Sequence, residues 1–183
     1  TVDLQIAPVN DAPVAVADTA TTDEDAVIVI DVLANDIDVD VGDTLSVASV
    51  SDLINGIAVI NPDNTVSFSP DQDFNGTASF TYIAQDSRSA LSASAVVTIT
   101  VNPVNDAPSI TSSAPTVATE GILYSYQLQV TDVDDANNAV DLSFSLANKP
   151  TGMVVSSTGL LTWTPAEAQT DATNISVTVA DWG

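Results

Sequence analysis

The sequence contains no cysteine and no histidine. Without cysteine there are no disulfides, no thiolate nucleophiles and no zinc sites built from Cys and His ligands. Without histidine the commonest general base of enzyme active sites is missing. An extracellular protein of this composition must be stabilised by something other than disulfides, and bound metal is a common alternative.

Basic residues are nearly absent as well. Arg88 and Lys149 are the only cations against 25 acidic residues, which gives a formal net charge of −23. A phosphate backbone or an anionic membrane would repel such a chain, which argues against nucleic-acid and membrane binding. No apolar run approaches the roughly 18 residues of a membrane span. The sequence also begins without a signal-peptide pattern, so we expect a segment of a longer polypeptide whose export signal lies elsewhere.

Glutamate is scarce, with 3 Glu against 22 Asp. Solvation of an acidic surface, as in halophilic proteins, gives no reason for so strong a preference for the shorter side chain. Turns and tight oxygen-rich Ca²⁺ loops do give one, because Asp bends back to the local backbone and holds a cation at short range. We therefore favour calcium binding over solvation alone.

One internal repeat organises the chain. Residues 2–13 (VDLQIAPVNDAP) and 97–108 (VTITVNPVNDAP) are identical at seven of twelve positions and lie 95 residues apart. A period of this size equals one domain, so the repeat predicts a string of sandwich-sized modules.

Short segments rich in β-branched residues fill the space between and beyond the two copies. The predicted strands are 44–50, 65–69, 78–84, 95–101, 124–130, 141–146, 160–164 and 175–180. Turn signals such as Asn55-Gly56 separate them, and no long segment has helical periodicity. The sequence therefore predicts an all-β protein of the sandwich type.

The repeat also sets the module boundaries. They are 1–11 for the tail strand and linker of a preceding module, 12–103 for the first module, 104–107 for the linker, and 108–183 for the second module. Asp86 lies 20 positions before the linker residue Asp106, whereas its counterpart Asp181 lies two positions before Gly183. We therefore predict that the second module lacks its last strand.

Acidic residues recur at matching distances from the two linkers. A glutamate follows each linker aspartate by 13 or 14 positions, a D-x-D pair begins at 25 or 26, and an aspartate follows a late apolar strand. The two sets are Asp11, Glu24, Asp36, Asp38 and Asp86, and Asp106, Glu120, Asp132, Asp134 and Asp181. Asp40, Asp43 and Asp135 are interpreted as solvated or outer residues. Because Ca²⁺ takes about six to eight oxygen ligands, loops at one end of a sandwich together with a linker could supply one site.

These motifs resemble those of known repeat families. The linker 103–108 (PVNDAP), the loop 131–134 (TDVD) and the strand end 179–181 (VAD) look like the calcium motifs of cadherin repeats. Residues 35–45 (NDIDVDVGDTL) resemble the bacterial cadherin-like tandem repeats of large secreted, RTX-type adhesins, and residues 119–165 resemble dystroglycan-type cadherin-like domains. The resemblance implies two tandem cadherin/Ig-like Greek-key β-sandwich modules joined by a short calcium-binding linker.

In that family Ca²⁺ ions lie between successive domains, and the resemblance carries a ligand set over to this chain. For the junction of the two modules the set is Glu24, Asp71, Asp73, Asn105, Asp106, the Ala107 carbonyl, Asp132, Asp134 and Asp181. Asn10, Asp11, Asp36, Asp38 and Asp86 form the equivalent half-site facing a preceding domain, and Glu120 faces a following one. Pro103 stands where cadherin linkers usually carry an acid, so we expect one to three ions at the junction.

The function that follows is a calcium-rigidified extender segment of a large bacterial cell-surface adhesin, which supports cell adhesion or biofilm formation. The alternative is a carbohydrate- or peptide-binding module that uses Trp163, Trp182 or loop acids. Glycoside hydrolysis needs an acid of raised pKa in a cleft, and metal-type clusters argue against it, so we expect no enzyme. The partners expected are neighbouring repeats and, through strand exchange of Val2–Ile6 with the edge near Ile175–Val179, further copies of the chain.

Overall fold

The computed structural model of the protein describes residues 2–5, 7, 9–134, 142–169 and 174–181. These residues form fourteen β-strands joined by turns and no helix, which confirms the all-β class. Accordingly, this part of the chain holds no helix long and apolar enough to cross a membrane. The chain divides into two compact units, Thr1–Val104 and Asn105–Gly183.

The first unit is a sandwich of two sheets. Its strands are β1 (Asp18–Asp23), β2 (Ile28–Ile30), β3 (Ser46–Ile54), β4 (Gly56–Ile60), β5 (Val66–Pro70), β6 (Gly76–Gln85) and β7 (Ala95–Asn102). One sheet has the order β1-β7-β6-β3 and the other the order β2-β5-β4. The β1–β7 pair is parallel, and all other pairs in the unit are antiparallel.

Strict alternation of side chains produces the core of the first unit. Along β7 every second residue is buried, and the same pattern runs through most of β6. The rings of Phe68 in β5 and Phe80 in β6 stack with centroids 5.9 Å apart, which ties the two sheets together. The largest fully buried side chains are Tyr82, Phe68, Phe80, Ile99, Val32, Val66 and Val97.

Gly56 lets β4 lie close against β5. A Cβ at this position would stand 2.6 Å from the carbonyl oxygen of Ser69 and would overlap the ring of Phe68. Real Cβ atoms essentially never approach backbone this closely, so a side chain here would push the strands apart.

The second unit has shorter strands and smaller sheets. Its strands are β8 (Ser109–Ile110), β9 (Tyr124–Gln127), β10 (Val130–Thr131), β11 (Ser143–Ala147), β12 (Val154–Val155), β13 (Leu160–Trp163) and β14 (Ser176–Ala180). They form a β12-β13-β9 sheet and two-stranded β11-β14 and β10-β8 pairs, all antiparallel. By the 95-residue offset β14 corresponds to β6, but among the described residues it pairs with β11 alone.

The eight predicted strands all appear, with the span 124–130 divided into β9 and β10. Five others were not predicted: β1, β2, β4, β8 and β12. The sequence of β1, DTATTD, has no apolar alternation, and β2, β8 and β12 are only two or three residues long. The described residues among the first ten form no strand. Their assignment to a preceding module stays a prediction.

Candidate metal centres

Three aspartates of the first unit form what we call the first acid cluster: Asp38, Asp43 and Asp86. One carboxylate oxygen of each lies within 4.8 Å of those of the other two. Asp38 and Asp43 lie in the loop between β2 and β3, and Asp86 immediately follows β6. Asp43 was interpreted from the sequence as a solvated or outer residue; its side chain is only 4% exposed, so it is not solvated.

Asp86 is the most firmly held member of the cluster. Its Oδ2 accepts a hydrogen bond from Asn10 Nδ2 at 2.8 Å, and its Oδ1 accepts from the backbone N–H groups of Arg88 and Ala90 at 2.9 and 2.8 Å. The residue is 4% exposed. Burial opposes the charged carboxylate, but these hydrogen bonds outweigh it and lower the pKa of Asp86, so the group stays ionised.

The cluster contains buried oxygens that accept no hydrogen bond. They are the Oδ2 atoms of Asp38 and Asp43. The Asp43 oxygen faces a charge instead, because Arg88 Nη1 lies 3.6 Å from it. A buried carboxylate oxygen without a donor costs free energy, and a bound cation would remove that cost.

The second unit repeats the hydrogen bonds of the first at the same end of its fold. The three bonds of the first unit are Asn10 Nδ2 to Asp86 Oδ2 (2.8 Å), Asp11 N to Asp40 Oδ2 (2.8 Å) and Asp40 N to Asp38 Oδ1 (2.8 Å). Those of the second are Asn105 Nδ2 to Asp181 Oδ2 (3.0 Å), Asp106 N to Asp134 Oδ2 (2.5 Å) and Asp134 N to Asp132 Oδ1 (3.2 Å). We call each set of three bonds an acid network. Each joins the linker, the acidic loop and the end of a late strand.

The networks correct one equivalence proposed from the spacing. The counterpart of Asp132-x-Asp134 is Asp38-x-Asp40, not the pair that begins at Asp36. Strand pairing agrees, because the Val14–Ile37 bridge of the first unit matches the Ser109–Thr131 pair of β8 and β10. The spacing was off by two because the loop lengths of the two units differ.

Asp36 lies in a different environment, around the buried hydroxyl of Tyr82. That hydroxyl is 2.8 Å from Asp36 Oδ1 and from the Val32 carbonyl oxygen, and 3.1 Å from the Val16 carbonyl oxygen. Asp36 Oδ1 also accepts the Val16 N–H at 2.8 Å. Burial and, next, the charge of Asp36 raise the pKa of the nearby Asp18. Asp36 thus fixes the chain around Tyr82 rather than joining the first acid cluster.

A second group of acids in the first unit lies immediately after β1 and in the loop after β5. Glu24 is 5% exposed, its Oε1 accepts the Val104 N–H, and its Oε2 is buried and accepts no hydrogen bond. Asp25 Oδ1 accepts the Asp73 N–H at 3.2 Å, and a carboxylate oxygen of each lies within 4.8 Å of the other. Asp25 was not predicted, although the run Asp23-Glu24-Asp25 was a signal for it.

The remaining predicted ligands are more open. Asp71 lies exposed in the turn that ends at Phe74, and Ala107 is exposed. Glu120 is exposed and precedes Gly121, whose N–H donates to the Pro165 carbonyl. The sequence-based remarks on Asp135 and Trp182 concern residues outside those described.

The donor sets fit a hard divalent cation. All side-chain ligands available are carboxylate and amide oxygens, which suit Ca²⁺ or Mg²⁺ rather than metals that prefer nitrogen or sulfur. Asp38 Oδ2 in the first acid cluster and, separately, Glu24 Oε2 beside Val104 are buried and accept no hydrogen bond, whereas Asp43 Oδ2 faces Arg88. In the first acid cluster Asp38, Asp43 and Asp86 would hold such an ion, and the ion would neutralise their mutual repulsion.

Each of the two units matches the model of a known protein family. Residues 10–100 match the family model of the bacterial Ig domain, and residues 107–182 match that of a putative Ig domain. The chain is a tandem of two Ig-like domains. Ig-like domains of this kind are usually non-catalytic. No curated protein sequence matches the chain.

Several solved structures are similar to the chain. The human desmocollin-1 ectodomain matches over 94% of this chain and 38% of its own, with 13% identity and a TM-score of 0.52, a likeness of fold alone. A SusE-like surface-located polysaccharide-binding protein of Bacteroides thetaiotaomicron matches over 89% of this chain and 32% of its own, with 12% identity and a TM-score of 0.38. An endo-fucoidan hydrolase of glycoside hydrolase family 107 matches over 94% of this chain and 27% of its own, with 22% identity and a TM-score of 0.36. The chain spans well under half of each of these structures.

Proposed function

We propose that the two Ig-like domains are a calcium-binding extender segment of a bacterial cell-surface adhesin. The observation that carries this proposal is the acid network, which recurs bond for bond in domains of different sequence. A turn that merely satisfied its own backbone would have no need to bring three acidic segments together twice. The match of residues 10–100 to a bacterial Ig domain supports an extracellular or surface location.

Calcium is the cation that the networks favour. Ca²⁺ accepts irregular sets of carboxylate, amide and carbonyl oxygens, whereas Mg²⁺ demands near-octahedral geometry and gives up its water reluctantly. The sequence contains 22 Asp residues as potential ligands and only two basic residues, Arg88 and Lys149, that could compete with Ca²⁺ for them. Calcium would therefore contribute folding free energy by pairing carboxylates that otherwise repel one another.

The extender role follows from the same chemistry. Loops and linkers that carry unpaired carboxylates splay apart, and a bound ion draws them together. As the resemblance to cadherin-like adhesin repeats implies, ions shared by successive modules would stiffen a long chain that supports adhesion or biofilm formation. The net charge of −23 also opposes collapse of the chain onto itself.

Calorimetric melting of the whole chain in EDTA, in Ca²⁺ and in Mg²⁺ tests whether the protein binds Ca²⁺ and prefers it to Mg²⁺. We expect Ca²⁺ to raise the melting temperature of both domains, since a ligand at a hundred times its dissociation constant adds about 2.7 kcal/mol per site. Mg²⁺ should have a much smaller effect. Equal melting curves in EDTA and in millimolar Ca²⁺ would refute the proposal.

Matched variants locate the sites. Asp86→Asn and Asp181→Asn each remove one charge from one acid network while keeping an oxygen acceptor. Each should reduce the calcium-induced shift of its own domain only. Asp63→Asn is the control, because Asp63 lies in an exposed turn with Thr65 and should leave both shifts unchanged. Small-angle scattering tests the extender role, and we expect a narrower distribution of maximum dimension in Ca²⁺ than in EDTA.

The carbohydrate-binding alternative gains no specific support. Trp163 is half-buried in β13, and its indole N–H donates to the Thr151 carbonyl at 3.3 Å. A sugar platform needs a free aromatic face beside polar groups.

A further inference from the structure

A positive charge beside the first acid network distinguishes it from the second. Arg88 lies beside the first acid cluster, with its Nη1 3.0 Å from Asn10 Oδ1 and 3.6 Å from the carboxylates of both Asp40 and Asp43. The chain has one other cation, Lys149, which is exposed and makes no ion pair with any described residue. The residue 95 positions after Arg88 is Gly183.

Arg88 is positioned by the network itself. Its backbone N–H donates to Asp86 Oδ1, and its guanidinium donates to the amide oxygen of Asn10, whose Nδ2 in turn donates to Asp86. The guanidinium therefore reaches the carboxylates from a fixed point in the β6–β7 turn. Its side chain is 48% exposed, whereas that of Asp43 is 4% exposed. The buried carboxylate thus has a charge partner that approaches from the solvent side.

This charge does two things to the first acid cluster. Without metal, it offsets the repulsion among carboxylates that lie within 4.8 Å of one another. With metal, the same charge stands close to a divalent cation and repels it, and ligation by Asp43 Oδ2 would take that oxygen from the guanidinium. The second network has neither effect within the described part of the chain.

We propose that Arg88 is a tethered counter-ion that competes with Ca²⁺ for the first acid cluster. The network of the first Ig-like domain then holds together without metal and binds Ca²⁺ weakly, whereas the equivalent network of the second domain depends on Ca²⁺. This inference rests on the proposed calcium binding and adds an order of filling, in which the second network loads at lower Ca²⁺ concentration than the first.

The test is Arg88→Gln, with Lys149→Gln as the control of equal charge change. Gln keeps a side-chain N–H donor for Asn10 but removes the charge. Isothermal titration with CaCl₂ should show one class of sites on the whole chain tightened about tenfold in Arg88→Gln, as expected for a charge near a half-exposed site. Lys149→Gln should bind as the parent does.

A second measurement does not depend on calcium. In EDTA, Arg88→Gln should lower the melting temperature of the first domain, and added NaCl should shrink the difference. The second domain is followed separately by tryptophan fluorescence, since both Trp residues lie there. Lys149→Gln should melt as the parent does.

The outcomes separate the two proposals. Calcium binding by the parent that Arg88→Gln leaves unchanged or weakens overturns the competition and spares the proposed function. No calcium binding by the parent or by either variant overturns the proposed function and the competition together. An Arg88→Gln protein that melts like the parent in EDTA overturns the counter-ion role.

Discussion

The two Ig-like domains carry the same acid network, but their hydrophobic cores are buried to very different degrees. The first domain buries Phe68, Phe80 and Tyr82 completely between two sheets. In the described residues of the second domain the buried apolar side chains are Leu128, Met153, Leu161 and Pro165, and β14 has one neighbour. The network therefore depends on its own loops and linker rather than on how tightly the sheets below are packed. Its D-x-D pairs explain this, because each closes a local turn from backbone N–H to the carboxylate two residues before.

Removing one phenylalanine from each core should affect the two domains to different extents. Phe80 is fully buried, and Phe80→Ala should lower the free energy of unfolding of the first domain by about 3–5 kcal/mol. Phe144 is half-buried in β11, so Phe144→Ala should cost the second domain about 1–2 kcal/mol. Urea denaturation followed by circular dichroism and tryptophan fluorescence measures both. Equal losses in the free energy of unfolding would show that the second core is as well packed as the first.

A glycine substitution tests how closely β4 lies against β5 within one sheet of the first domain. Gly56→Ala forces a Cβ against Ser69 and Phe68 and should destabilise the first domain by about 1–3 kcal/mol. Gly42 provides the contrast, because its Cβ would meet nothing within 4 Å and only its φ of +94° is unfavourable. Gly42→Ala should cost about 1 kcal/mol. If Gly56→Ala is the milder change, β4 can shift away from β5 at little cost.

Two carboxyl groups of the first domain should respond to pH with opposite signs. The pKa of Asp18 is raised by burial and by Asp36, so its ionisation costs stability as the pH rises from below its ordinary value, about 3.9, through the raised one. Asp18→Asn should therefore raise the melting temperature slightly at pH 7, and the gain should vanish below about pH 3.9. The pKa of Asp63 is lowered by its bonds to Thr65, so its charge adds stability that is lost as the pH falls. Asp63→Asn should lower the melting temperature slightly at pH 7, and melting both variants at pH 3 and 7 checks the signs.

Strand exchange between copies is expected to have the smallest effect. Phe80 pairs with Val97 in the β6–β7 ladder, so the 95-residue offset would place Val2 of one copy opposite Ile175 of another. Little of the described β14 would then gain a partner, because its residues follow Ile175. Deleting residues 1–9 should abolish any concentration-dependent association in sedimentation velocity. Association that survives the deletion would rule out donation by this segment.

Much of this protein could be predicted from its sequence. The repeat at 95 residues and the β-branched alternation gave the all-β class and eight strands, because these features act through local geometry. The linker Asp, the D-x-D loop and the late-strand Asp were visible because they stand at similar distances from the two copies of the repeat, although the difference in loop length shifted the D-x-D pair of the first unit by two residues. The Asp-rich composition pointed to cation chemistry before any contact was known.

Tertiary structure decided which acids meet. Asp36 and Asp38 are two residues apart in one loop, yet Asp36 turns to Tyr82 while Asp38 joins Asp43 and Asp86. Sequence spacing does not distinguish the two aspartates, because their partners depend on where the buried Tyr82 hydroxyl of β6 lies relative to the loop. Arg88 gains its role in the same way, since only the turn after β6 brings its single charge to carboxylates more than 40 residues away in the chain. Sequence fixes which groups are available, and side-chain burial between the sheets decides their partners.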